Sequence, residues 1–276
     1  MKSKQQQDSH PRIISITSGK GGVGKTNIAV NLACSFATKG LRTLLIDGDF
    51  GLANTNILLG LKVTSTIEDV LFKNQPIQSI FHKTAFGFDL IPSSCGVKKL
   101  LELDPFSQRV LFDRVYEGMS QYDIVIYDTA PGLGSHVLNF NTHAHDIVVI
   151  SRPEPTAIMD AYALIKVLAV EKKEKKFKLL INDTKTINEG LEYFKKLTDV
   201  TQEFLNISID FLGHIPNDKA VEECVRMQRP LQATYPRSGF GMAIERICEK
   251  LMHLNSYNSE KNCRMGGDAM IEGGMP

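Results

Sequence analysis

The sequence predicts an α/β fold: a single domain built on a mainly parallel, twisted sheet with helices on both faces. Three observations carry this. Short apolar runs rich in β-branched residues alternate with segments of helical period along most of the chain. Several of those runs are apolar throughout, as strands covered on both faces are. Between residues 12 and 255 no long low-complexity stretch breaks the regular spacing. That reads as one domain, although 276 residues would allow two at about 150 each.

The elements follow in order. Strands are expected at Arg12–Thr17, Thr43–Asp47, Phe88–Pro92, Asp123–Asp128, Asp146–Ser151, Phe177–Asn182 and Ile207–Ile215. Helices are expected between them at Asn27–Lys39, Pro105–Met119, Ala157–Val170, Glu189–Asn206 and Lys219–Gln228. The charged run Glu171–Lys178 (EKKEKKFK) falls where a helix ends and a strand begins, and reads as a solvated helix end. A last helix, Gly241–Leu254, carries an apolar stripe through Ile244, Ile247, Cys248 and Leu251. Its opposite face has Glu245, Arg246, Glu249 and Lys250, which balance, so it suits packing on the core rather than a membrane surface. Residues 1–11 and the glycine-rich 256–276 read as flexible flanks of the domain at 12–255.

Composition narrows the function. Hydrophobic residues at 42% and charged residues at 23% can bury a core, which excludes a disordered or fibrous chain. Thirty-two Lys plus Arg against 31 Asp plus Glu leave +1, no field to hold a polyanion, so direct DNA binding is not expected. Cys34, Cys95, Cys224, Cys248 and Cys263 are scattered and form neither a disulfide framework nor a zinc motif. His143-Ala-His145 lacks the neighbours of a ligand set and reads as loop histidines. No signal peptide or long apolar span is evident, and the expected location is the cytoplasm.

The chemistry lies in the loop after the first strand. Gly19-Lys-Gly-Gly-Val-Gly-Lys-Thr26 satisfies the P-loop pattern, with a helix opening behind it, so the fold class sharpens to a P-loop NTPase. Its glycines let backbone N–H groups close around phosphate oxygens, and the helix N-terminus adds partial positive charge. Lys25 is expected on the β- and γ-phosphates and the Thr26 hydroxyl on Mg²⁺. Gly21, Gly22, Val23, Gly24 and Asn27 complete the expected nucleotide-binding stretch.

Two carboxylate groups end later strands. Asp47-Gly-Asp49 closes the second strand, where open α/β sheets bind ligands, although such acids also end strands and cap helices. Tyr122–Asp128 (YDIVIYD), followed by Thr-Ala-Pro-Gly132, has the form of a Walker B strand, with Asp128 on Mg²⁺ directly or through water.

Lys20 is a second lysine in the loop, and KGGVGKT resembles the deviant Walker A motif of the MinD/ParA ATPases. The resemblance implies ATP and Mg²⁺ as ligands and an ATP-dependent homodimer in which Lys20 enters the other subunit's nucleotide site. It also implies that Asp49 orients the attacking water, that Asp47 supports the metal shell and that the Gly132 N–H meets the γ-phosphate. Leu179-Leu-Ile-Asn182 and Gly213-His-Ile-Pro-Asn-Asp218 resemble the family's adenine-gripping segments, which implies Asn182 on the base edge and Pro216 on its face.

Further stretches are similar to the FlhG/FleN branch of flagellar-number regulators: DGDFGLANTNILLG, Glu154–Lys166, Leu197–Leu205 and Tyr235–Ser238. That likeness implies a cytoplasmic ATP-controlled switch, with slow ATP hydrolysis, that restricts how many flagella a bacterium builds and where, acting with flagellar C-ring proteins, the GTPase FlhF and in some bacteria a flagellar transcription activator. The family's DQA-x-x-LR segment, which stimulates FlhF, has no match in MKSKQQQDSHP, and the tail lacks the amphipathic helix by which many members associate with the inner face of the membrane. A partitioning or cell-division positioning ATPase and a metabolic P-loop enzyme are the alternatives.

Overall fold

The computed structural model describes residues 10–49, 54–73, 75–93, 113–174 and 176–265, with side chains for all of these but Leu71 and 254–265. Eight strands form one sheet: β1 (Arg12–Thr17), β2 (Thr43–Gly48), β3 (His82–Lys83), β4 (Asp89–Ile91), β5 (Ile124–Thr129), β6 (Asp146–Ser151), β7 (Phe177–Thr184) and β8 (Ile209–Pro216). Their order is β3-β4-β2-β5-β1-β6-β7-β8. All pairings are parallel except that of β3 with β4. β3 was not expected from sequence, because two residues are too short to show a period. The helix expected at Pro105–Met119 is described only over its end, where 113–119 is helical.

Alternation of side chains builds the two faces. Ile14 and Ile16 of β1, Ile126 of β5 and Val148 of β6 share one buried cluster with α1 (Lys25–Thr38) and with Ile244, Ile247, Cys248 and Leu251 of the last helix. That stripe is the one read from the sequence. On the opposite face Val125 and Tyr127 pack with Val115 and Met119, while Val149, Leu179 and Ile181 meet helices Pro155–Glu171 and Ile187–Leu205. Each such aliphatic side chain contributes about 1.5–3 kcal/mol on full burial.

Two expectations shift. The last helix runs Gly239–Met265, beyond the Leu254 end read from sequence. The 171–178 run is not wholly solvated: Lys178 is buried, its Nζ 2.9 Å from Asp146, which also pairs with Arg12 at 2.6 Å. Strand alternation turns Lys178 inward, whereas the helix does end at Glu171. Among the described residues no helix is long and apolar enough to cross a membrane. His145 accepts the Ile13 N–H at 3.0 Å and so ties the turn before β6 to β1.

Candidate functional site

Neighbours of β1 on its two sides lead away in opposite directions of the sheet, which opens a crevice at the carboxyl ends of the strands. The P-loop lies there. Gly22 and Gly24 take φ of 77° and 94°, the left-handed region that glycine enters without strain. Gly24 caps α1, whose first turn holds no acidic residue, so its free N–H groups present positive potential. A Cβ on Gly24 would collide with the Asn182 amide, and that amide donates to the Val23 carbonyl at 2.8 Å. The end of β7 is thereby fastened to the loop.

The loop's two lysines diverge. Lys25 is buried and its Nζ donates to Ser18 Oγ at 2.9 Å; Ser18 Oγ in turn donates to the Lys20 carbonyl at 2.6 Å. Burial lowers the Lys25 pKa, opposed by the charges of Asp128 and Asp49. Lys20 lies outside, its Nζ 3.4 Å from both Glu154 Oε2 and Thr156 Oγ1, with both members of the ion pair more than two-fifths exposed. Such a pair holds weakly, at about 0–1 kcal/mol.

The carboxylates meet beside Lys25. Parallel pairing of β2 with β5 sets Asp47 opposite Asp128, and both are buried. Burial, with Asp49 adding repulsion and two backbone bonds opposing, pushes the Asp47 pKa up to about 6. Asp47 Oδ1 accepts the Asp49 N–H at 3.0 Å, which fixes the start of the following segment. Burial and then the Asp47 charge push Asp128 up to about 8, while a hydrogen bond with the Thr26 side chain and the Lys25 charge pull it down. Asp128 Oδ1 is buried with no hydrogen-bond partner among the described residues. Two acids, one with an orphaned oxygen, beside the Thr26 hydroxyl supply oxygen ligands of the kind a hard divalent cation takes, while Lys25 offers its charge to phosphate. The residues present therefore fit Mg²⁺, and the glycine cradle fits a phosphate chain.

Gly132, with φ of 94°, donates its N–H to the Ser18 carbonyl at 3.0 Å. That donor is thus engaged within the chain, and contact with a phosphate requires it to turn. A cavity of about 360 Å³ extends from Gly22, Gly24 and Asn27 past Asn182 to Pro216 and Phe240. The two proposed base contacts and the loop thus border one space. Asn217 and Asp218, from the segment read in the sequence, border it too, as do Arg152 and Asp183, which were missed from sequence. Ser18, next to the motif, was also missed.

Residues 11–181 match the family described as AAA domain. The chain is 36% identical over 249 residues to the antiactivator FleN of Pseudomonas aeruginosa, covering 90% of this chain and 89% of FleN. The chain belongs to the MinD/ParA-type P-loop ATPases. As a member of this family it is an ATPase with ATP and Mg²⁺ as its ligands. The flagellum site-determining protein YlxH of Helicobacter pylori is 31% identical over 242 residues, covering 87% of this chain and 82% of YlxH. Among solved structures, the cell division ATPase MinD of Pyrococcus furiosus superposes with a TM-score of 0.74 at 24% identity, covering 88% of this chain and 99% of that one. At that identity the likeness speaks for the MinD/ParA fold.

Proposed function

We propose that this ATPase is a dimerising switch that sets how many flagella a bacterium builds and where, and that it hydrolyses ATP slowly. The observation that carries the reading is the divergence of the two loop lysines. Lys25 serves the chain's own phosphate cradle, while a cation on the loop's outer side suits a nucleotide held by a second copy. Exposed Leu133 and Met159, on the segments that follow Gly132 and Glu154, offer apolar surface for that second copy.

In this reading Lys25 binds the β- and γ-phosphates, Thr26 and Asp128 hold Mg²⁺, and Asp47 supports its water shell. Bound there, Mg²⁺ neutralises charge on the phosphate oxygens. Asp49 orients the attacking water, starting from a backbone that Asp47 holds in place. The Gly132 N–H exchanges the Ser18 carbonyl for the γ-phosphate, which would couple the triphosphate to movement of the 129–134 segment. Because the γ-phosphate then joins two copies, ATP favours the dimer by mass action and ADP does not.

The flagellar output rests on the likeness to FleN, an antiactivator, and to YlxH, a flagellum site-determining protein. A flagellar transcription activator, C-ring proteins and FlhF are the partners this reading names. Deleting the gene should change the number of flagella per cell, and complementation with Lys20→Ala should fail to restore it. Normal flagellation with misplaced septa would instead favour a cell-division role, and restoration by Lys20→Ala would remove the dimer from the account.

A further inference from the structure

The sheet serves as a ruler for the bound nucleotide. Strands lie about 4.8 Å apart, so the ends of β6, β7 and β8 stand roughly one, two and three such steps from the phosphate loop at the end of β1. Arg152 follows β6, Asp183 is near the end of β7, and Pro216 ends β8. A nucleotide with its phosphates at β1 and its base at Pro216 carries its sugar between them, at Arg152 and Asp183.

The backbone of β7 is bent to suit. Consecutive residues of a strand point to opposite faces, yet Asn182 and Asp183 both border the cavity. The break is made by Asp183, whose φ of 62° is left-handed although it is not glycine, and by a register shift between Ile181 and Thr184. Bulges of this kind re-aim side chains beside active sites, and such strain persists only where the surroundings hold it. Here Arg152 donates to Asp183 Oδ2 and Asn217 Nδ2 to Oδ1. Each carboxylate oxygen keeps a further lone pair. Arg152 Nε is buried, 3.6 Å from Glu154 Oε1 and without a hydrogen bond. The carboxylate therefore holds spare acceptors, which match the O–H of a hydroxyl.

We propose that Arg152 and Asp183 form a sugar-reading subsite that selects ribonucleotides over deoxyribonucleotides. Asp183 accepts from a ribose hydroxyl, and Arg152 is the positioning residue that holds the carboxylate in place. The inference rests on the nucleotide lying in this cavity and not on the flagellar reading, so either can fail alone.

Calorimetric titration of the whole chain with ADP, 2′-deoxy-ADP, 3′-deoxy-ADP and pyrophosphate, each with Mg²⁺, tests it. The unaltered protein should bind ADP about tenfold more tightly than at least one deoxy analogue, the worth of a hydrogen bond to a charged group. Asp183→Asn and Arg152→Ala should shrink that preference to about twofold or less, leaving affinity for the deoxy analogue and for pyrophosphate unchanged; Arg152→Lys should restore part of it. Equal affinities for ADP and both deoxy analogues in the unaltered protein would overturn the subsite. So would variants that lose ADP and deoxy-ADP in equal proportion, which marks a purely structural pair.

Discussion

Asp128 is buried beside Asp47 with its proton affinity raised, so in the nucleotide-free protein its ionisation works against the fold. The folded value lies above the ordinary 3.8, so the penalty is absent at low pH, grows as pH rises through the window up to about 8, and is complete above it. Asp128→Asn should therefore melt higher than the unaltered protein without nucleotide, with a gap larger at about pH 9 than at about pH 5. Mg²⁺–ADP should raise the melting temperature of the unaltered protein and leave that of the variant nearly unmoved. A gap independent of pH would show that the buried charge is not the cause. The same linkage makes cation binding release protons and weaken as the solution is acidified.

At the scale of the element, the final helix does for the phosphate loop what a second sheet layer does for a strand. It packs along α1, with Ile244 fully buried among α1 side chains and Glu245 bonded to Ser35 at 3.0 Å and to Lys39. Ile244→Ala should cost about 2–5 kcal/mol, seen as a lower urea midpoint at unchanged slope. A loss below about 0.5 kcal/mol would show that the contact is dispensable. This stripe was legible in the sequence because one helix carries its own period. So was the placement of Lys25 and Thr26, since a motif confined to a strand, a loop and a helix start declares its geometry locally; Asp47 and Asp128 were each read at a strand end, and the pairing of β2 with β5 sets them side by side. Arg152 and Asp183 were not legible. Their meeting depends on the order β1-β6-β7-β8 and on a left-handed residue inside β7, neither of which a local pattern encodes. Lys178 misled for a related reason: its charge suggested solvent, whereas Asp146 on the neighbouring strand supplies a buried partner.

For the molecule as a whole, net charge of +1 gives no long-range field to draw two copies together, so the proposed pairing rests on the carboxyl edge of the sheet. That edge gathers the phosphate cradle, the weakly held Lys20 and the Gly132 segment on one side of the protein. An exposed pair such as Lys20 with Glu154 is released at little cost when a stronger anion is offered, and a triphosphate on a second copy is such an anion. In the proposed switch, hydrolysis removes the anion's terminal group and with it the reason to stay paired. Light scattering with Mg²⁺ and either ATP or ADP measures this directly. Asp49→Ala should have twice the monomer mass in ATP and the monomer mass in ADP, while Lys20→Ala stays at the monomer mass in both; a monomeric Asp49→Ala together with a dimeric Lys20→Ala in ATP would contradict the account.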